Sequence, residues 1–141
     1  CFVNYFKPEY LDTPIECTHC KKNTKTIKKM CVWRFPKNFV IHFKRYTQKN
    51  DGNYTRNNCI VDFSSELIFQ DNETGKSIEY KLKAVVNHIG SSPMSGHYST
   101  YINYKNNTNE QWVHIDDSNI FKIQESKIVS SYAYMLLYEM V

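Results

Sequence analysis

Apolar and polar residues alternate cleanly in two stretches of this chain. From Asn38 to Tyr46, Phe39, Ile41 and Phe43 share one face, while Val40, His42 and Lys44 share the other. From Ile78 to His88, the residues Ile78, Tyr80, Leu82, Ala84, Val86 and His88 line one face. A period of two is the signature of a half-buried strand. The stretch Tyr132–Tyr138 is apolar on both faces, which predicts a central strand covered on both sides. Between these lie weaker elements. Residues 1–13 suggest a short helix or turn, and Thr24–Trp33 a β-prone run. Cys59–Phe69 suggests one or two short strands, and Glu125–Ser131 a single helical turn. Thr47–Asn58 is polar and reads as a long loop, and such loops are usually functional or mobile. Ile89–Gly96 is built of small residues and also reads as a loop. His97–Tyr104 and Gln111–Ile115 read as two strands of a hairpin turning at Asn106-Asn107.

These elements predict an α+β fold dominated by antiparallel β-structure, in one domain without repeats or linkers. With 141 residues and 41% hydrophobic content, the chain can bury a core. No run of 18 apolar residues is present, so no membrane-spanning helix is predicted. The net charge of +4 is concentrated in Lys21–Lys29, where five of nine residues are lysine. Without a nucleic-acid motif beside it, this run reads as a solvated surface, and no nucleic-acid partner is expected. Three Asn-x-Thr tripeptides, at Asn53, Asn72 and Asn106, would matter only in a secreted protein. The five cysteines are an odd number, which argues against a disulfide framework and for an intracellular setting, cytoplasmic or nuclear.

The densest chemistry is in Ser95-Gly96-His97-Tyr98 and Trp112-Val113-His114-Ile115-Asp116-Asp117. A turn at Asn106-Asn107 sets residue 97 opposite residue 116. Opposed residues have Cβ atoms roughly 4.5–5.5 Å apart. Asp116 can then bond one imidazole nitrogen of His97 and leave the other for chemistry. A cysteine nucleophile needs such a base, and the base needs a third group to fix its tautomer. A lone strand histidine is otherwise an ordinary polar residue, and an Asp-Asp pair an ordinary turn cap. Side chains alternate between faces, so only one carboxylate of the pair meets His97. Asp117 could hold a backbone amide, a water or part of an oxyanion site. No cysteine sits in a clearly activating setting; Cys1, before a possible short helix, comes nearest. Cys17-Thr-His-Cys20 supplies two thiols at metal-ligand spacing, with a redox pair as the alternative. Cys31 and Cys59 read as buried thiols acting as small hydrophobes.

Taken in order, several blocks resemble the C-terminal half of a ubiquitin-specific protease catalytic domain. They are Cys17-Thr-His-Cys20, Phe35–Tyr46, Tyr80–His88, Ser95–Tyr98, Trp112–Asp117 and Tyr134–Tyr138. The resemblance implies a papain-like cysteine-protease fold, represented by its fingers (about 1–35) and palm (about 36–141) only. It implies that His97 is the general base, Asp116 the orienting acid and Asp117 a supporting acid. Cys17 and Cys20 would be half of a structural zinc site, with the other ligands outside this chain. Thr47–Asn58 and Ile89–Gly96 would be the loops flanking the ubiquitin tail, with His88, Gly96 and Tyr98 belonging to that region. The basic tail would call for carboxylates, with Asp62 and Glu66 among the candidates. The family's nucleophile box and its first zinc pair do not occur here and are expected upstream. The implied function is one part of a thiol-dependent deubiquitinase acting on ubiquitin and ubiquitinated proteins, this part being inactive alone. The alternatives are a non-catalytic ubiquitin-binding module and a zinc-ribbon-like scaffold for protein contacts.

Overall fold

The computed structural model describes residues 2–71, 74–105 and 109–141. The elements run in the order α1 (Phe2–Tyr5), β1 (Glu9–Tyr10), β2 (Ile15–Glu16), β3 (Asn23–Thr24), β4 (Ile27–Lys28), β5 (Asn38–His42), β6 (Tyr46–Gln48) and β7 (Tyr54–Arg56). Then come β8 (Glu66–Gln70), β9 (Ser77–Ser92), β10 (Ser95–Lys105), β11 (Glu110–Asp116), β12 (Asn119–Lys122), a 3-10 turn (Glu125–Lys127) and β13 (Ala133–Met140). The chain forms two compact units, residues 1–35 and 36–141.

The first unit is built from short pairings, β1 with β4 and β2 with β3, both antiparallel. The β-prone run expected over Thr24–Trp33 is reduced to these two-residue strands. All five lysines between Lys21 and Lys29 are exposed, as expected of a solvated run. Lys28 pairs with Glu9 at 3.0 Å.

The second unit is an antiparallel sheet in the order β12-β11-β10-β9-β13-β5, with β8 pairing the first part of β9. The closing strand β13 lies between β9 and β5, the central place its two apolar faces predict. Tyr80, Leu82, Val85, Ala133, Leu136 and Tyr138 form the core. Tyr138 donates its phenol to Ser64 O at 2.6 Å, and burial pushes its pKa up to about 12. The first half of β9 alternates as its sequence does. In the second half Val85, Asn87 and His88 are all buried, so both faces are covered there.

Four local expectations change. Thr47–Asn58 is a hairpin, not an irregular loop: Tyr46 opposes Arg56 and Gln48 opposes Tyr54. Its polar residues hid the strands, and its turn is set by Asp51, which accepts from Asn53 N at 3.0 Å, and by Gly52 at φ 81°. Ile89–Gly96 is mostly strand, because β9 runs to Ser92 and β10 starts at Ser95. The β10–β11 register pairs Thr100 with Ile115 and Lys105 with Glu110, two positions away from the mirror about Asn106-Asn107. That predicted turn, and the tripeptides starting at Asn72 and Asn106, include residues outside those described. Strand β12 was not legible in the sequence; all four of its residues are exposed, so no apolar pattern marks it. Cys31 and Cys59 are exposed rather than buried, since both fall in irregular segments.

Candidate active site

His97 and Asp116 meet at the end of the sheet where β10 and β11 begin and end. Continuing the observed register puts Asp116 opposite Ser99, so His97 reaches it diagonally, two residues along the strand. A bulge in the β9–β10 pairing between Ser95 and His97 shifts the strand locally. Bulges of this kind re-aim side chains next to functional sites. Nε2 of His97 makes a short hydrogen bond to Oδ1 of Asp116. The two side chains are 45% and 37% exposed, so the pair is open to solvent. The hydrogen bond to Asp116 holds the His97 pKa above its ordinary value, helped by the charges of Asp116 and, less, Asp117. Nδ1 of His97 has no hydrogen-bond partner among the described residues. Asp117 occupies the tight turn into β12 at φ 50°, a conformation Asp tolerates better than most residues. Its carboxylate, that of Asp116 and the His97 imidazole lie within 4.8 Å of one another.

On the opposite face of the sheet, on the neighbouring strand β9, lies a second histidine. His88 pairs with Tyr98 across β9 and β10 and is 1% exposed. Its ring stacks on Tyr98 with centroids 4.4 Å apart, and Tyr46 and Tyr134 pack at 5.6 and 5.5 Å. The Tyr46 phenol lies 2.6 Å from His88 Nδ1 and donates to Gly90 O at 3.0 Å. One phenolic proton cannot serve both. Given to Gly90 O, it leaves Nδ1–H as the donor to the phenol oxygen and Nε2 as a bare acceptor. Burial, and then the nearby Arg56, hold the His88 pKa below its ordinary value, which favours the neutral ring. Gly96 packs directly on this ring. A Cβ there would lie 2.8 Å from Ile89 O and 2.9 Å from His88 Cε1, so only glycine fits without movement. Of the three tail-loop candidates, Tyr98 is exposed on one side and Gly96 is backbone. His88 is buried, so it cannot touch a ligand directly.

Sequence reasoning missed the rest of this support. Arg56 donates to His88 O at 3.1 Å and to Ser131 O at 2.9 Å. Arg45, 3% exposed, donates to the carbonyls of Ala133, Asn57 and Cys59, tying the β6–β7 hairpin to β13. Neither arginine sits in an apolar pattern, so only their acceptors reveal them. A groove of about 450 Å³ between the β6–β7 and β9–β10 hairpins is lined by Lys49, Tyr54, Arg56, Gly90, Ser91 and Tyr132 among others. It holds two cations and no carboxylate, and neither Asp62 nor Glu66 lines it.

Cys17 and Cys20 sit in the turn joining β2 and β3. Cys17 N donates to Lys22 O at 2.9 Å and Lys21 N to Cys17 O at 2.8 Å, with Lys21 at φ 57°. The backbone N–H groups of Cys20 and then His19 point at the Cys17 sulfur and hold its pKa below the ordinary thiol value. That is the environment a thiolate ligand needs. Among the described residues, no third potential ligand joins the two thiols, and no thiol joins His97 and the two carboxylates. Cys1 lies outside the described residues.

Residues 3–138 match the family model described as ubiquitin carboxyl-terminal hydrolase. The chain is 35% identical over 132 residues to ubiquitin carboxyl-terminal hydrolase 4 of Pongo abelii, covering 89% of this chain and 13% of that protein. It is 33% identical to ubiquitin carboxyl-terminal hydrolase 8 of Arabidopsis thaliana, covering 87% and 14%. It superposes on a SAGA Ubp8/Sgf11/Sus1/Sgf73 DUB module bound to ubiquitin aldehyde with a TM-score of 0.81 at 25% identity, covering all of this chain and 32% of that one. This chain therefore spans about one seventh of the curated relatives it matches and about one third of the matched structure. The mostly antiparallel sheet is thus the fingers-and-palm portion of that papain-like fold, and the chain belongs to the ubiquitin carboxyl-terminal hydrolase family.

Proposed function

We propose that residues 36–141 form the palm, carrying the base-and-acid half of a thiol deubiquitinase site, and that residues 1–35 belong to the fingers. The observation that carries this is the His97–Asp116 bond at an open sheet end, with Nδ1 of His97 unengaged. Asp116 accepts from Nε2–H, fixes the tautomer and stabilises the imidazolium formed during reaction. Nδ1 takes the proton of a cysteine thiol supplied from outside residues 1–141. The thiolate attacks the carbonyl of the last ubiquitin glycine, and the proton passes from His97 to the leaving amine. His97 then activates water to hydrolyse the acyl-enzyme. Asp117 adds negative charge beside the pair and can hold the attacking water. Gly96 and Tyr98 flank the base on the side where the ubiquitin tail would run. The cationic groove between the hairpins is unsuited to that basic tail, so the tail would pass outside it.

Cys17 and Cys20 fit half of a structural zinc site, completed by ligands outside this chain. Zinc bound there would cross-link two chain segments. Metal analysis of the natural protein should give one zinc per chain, lost in Cys17→Ser. Retention of a full zinc in that variant would remove the thiol pair from the site. The unpaired thiols of Cys17, Cys20, Cys31 and Cys59 fit a reducing compartment, hence a cytoplasmic or nuclear location. No helix among the described residues is long and apolar enough to cross a membrane.

The test is hydrolysis of ubiquitin–aminomethylcoumarin by the natural protein, with whatever sequence flanks residues 1–141, against its His97→Ala variant. Loss of hydrolysis with ubiquitin binding retained supports the enzyme. Ubiquitin binding by a parent that does not hydrolyse would favour the binding-module reading. No ubiquitin readout in either protein would remove both.

A further inference from the structure

Both neighbours of the base rest on one buried ring. Gly96 packs against the His88 imidazole so closely that a Cβ would collide, and Tyr98 stacks on the same ring at 4.4 Å. His97 lies between them, pointing to the other face. The ring is held in turn by the β6–β7 hairpin. Tyr46 bonds Nδ1, and its cross-strand partner Arg56 bonds the His88 carbonyl. Arg56 also lies over the Tyr46 and Tyr132 rings, at 6.0 and 5.9 Å. Nε2 of His88 is buried with no partner among the described residues. A structural histidine ordinarily satisfies both nitrogens, because an unpaired buried polar atom costs about 1–3 kcal/mol. Here the bare edge lies against Gly96, where an N–H would have no acceptor.

We infer that His88 is a positioning residue, a neutral imidazole locked by Tyr46 that fixes the backbone on either side of His97 and so aims His97 at Asp116. The inference rests on the proposed deubiquitinase only for the reaction; the geometry stands without it. Removing the Tyr46 hydroxyl leaves Nδ1–H and Gly90 O without their bonds. The ring must then turn or change tautomer, and Gly96 and Tyr98 lose their seat. Asp116 and Asp117 are the charged groups facing His97, while Arg56, Tyr46, Tyr98 and Tyr134 face His88.

The experiment uses the natural protein labelled with ¹³C-histidine. The His97 resonance is identified by its absence in His97→Gln and titrated in the parent, Tyr46→Phe and Gly96→Ala. The parent midpoint should lie above 6.5 because Asp116 holds the proton. It should fall toward 6.5 in Tyr46→Phe and further in Gly96→Ala. In the same proteins kcat should fall about 5-fold and about 50-fold while KM changes less than about 2-fold, as expected for a misplaced catalytic group. A purely structural role would lower stability and leave the His97 midpoint where it was. Unchanged midpoints in both variants would overturn the inference. Shifted midpoints in a parent that never hydrolyses ubiquitin–aminomethylcoumarin would uphold it and remove the deubiquitinase reading instead.

Discussion

His97 and His88 lie on neighbouring strands, and their environments push them in opposite directions. His97 is open to water and bonded to a carboxylate, so its proton is held more tightly than usual. His88 is buried among tyrosines and near a guanidinium, so its proton is held less tightly. Working sites separate titratable groups in this way, with environment rather than residue type assigning the role. One sheet thus carries an exposed, carboxylate-bonded imidazole on one face and a buried, tyrosine-packed imidazole on the other.

The contrast breaks most sharply at His97. His97→Ala should lower kcat for ubiquitin–aminomethylcoumarin by about 10³-fold or more, and Asp116→Asn by about 10²–10⁴-fold. Either should change the denaturant midpoint only by the small amount that a solvent-exposed pair contributes. His88→Ala should do the reverse first: it should cost about 2–4 kcal/mol in urea unfolding, the range for emptying a buried ring site. A His88→Ala protein as stable as its parent would contradict the packing described for Gly96, Tyr98 and Tyr46.

Acid and alkali sharpen the same comparison. The folded-state pKa of His97 is raised above 6.5, so its contribution to stability is present below that pH. It is lost as pH rises through the raised folded value. The folded-state pKa of His88 is lowered, so its contribution is present above 6.5 and disappears as pH falls through the depressed value. Urea midpoints measured across about pH 5–8, where histidines titrate, should lose their alkaline decline in His97→Gln and keep their acid decline. The smallest effect is expected at Asp117. Its charge reaches His97 without being the bonded partner, so Asp117→Asn should reduce kcat by about 2–10-fold, within the span of a screened charge. A loss as large as that of Asp116→Asn would mean that Asp117 is the orienting acid.

The strong strands were legible because their side chains see the core directly. Phe39 and Ile41 turn inward as their alternation requires, and β13 took the central place its two apolar faces predicted. The β6–β7 hairpin was not legible, because Tyr46 and Arg56 anchor it through a few polar contacts that leave no period in the sequence. The mirror register that sets His97 opposite Asp116 is not the one the sheet adopts. Their bond survives because a bulge and a long side chain together span the two-residue offset. The cationic groove could not be read from composition.

The sequence by itself determined the residue types at the site: a Gly-His-Tyr strand, an Asp-Asp strand end and a Cys-x-x-Cys turn, each fixed by covalent neighbours. Which carboxylate His97 meets depended on strand register. Which histidine is buried depended on the Tyr46 ring of the hairpin and the Tyr134 ring of β13 packing on one of them. Register and burial arise from contacts between residues tens of positions apart, such as Tyr46 with His88 and Arg56 with Ser131. Those contacts exist only once the sheet has closed, so the tertiary structure alone gave two chemically identical side chains opposite surroundings.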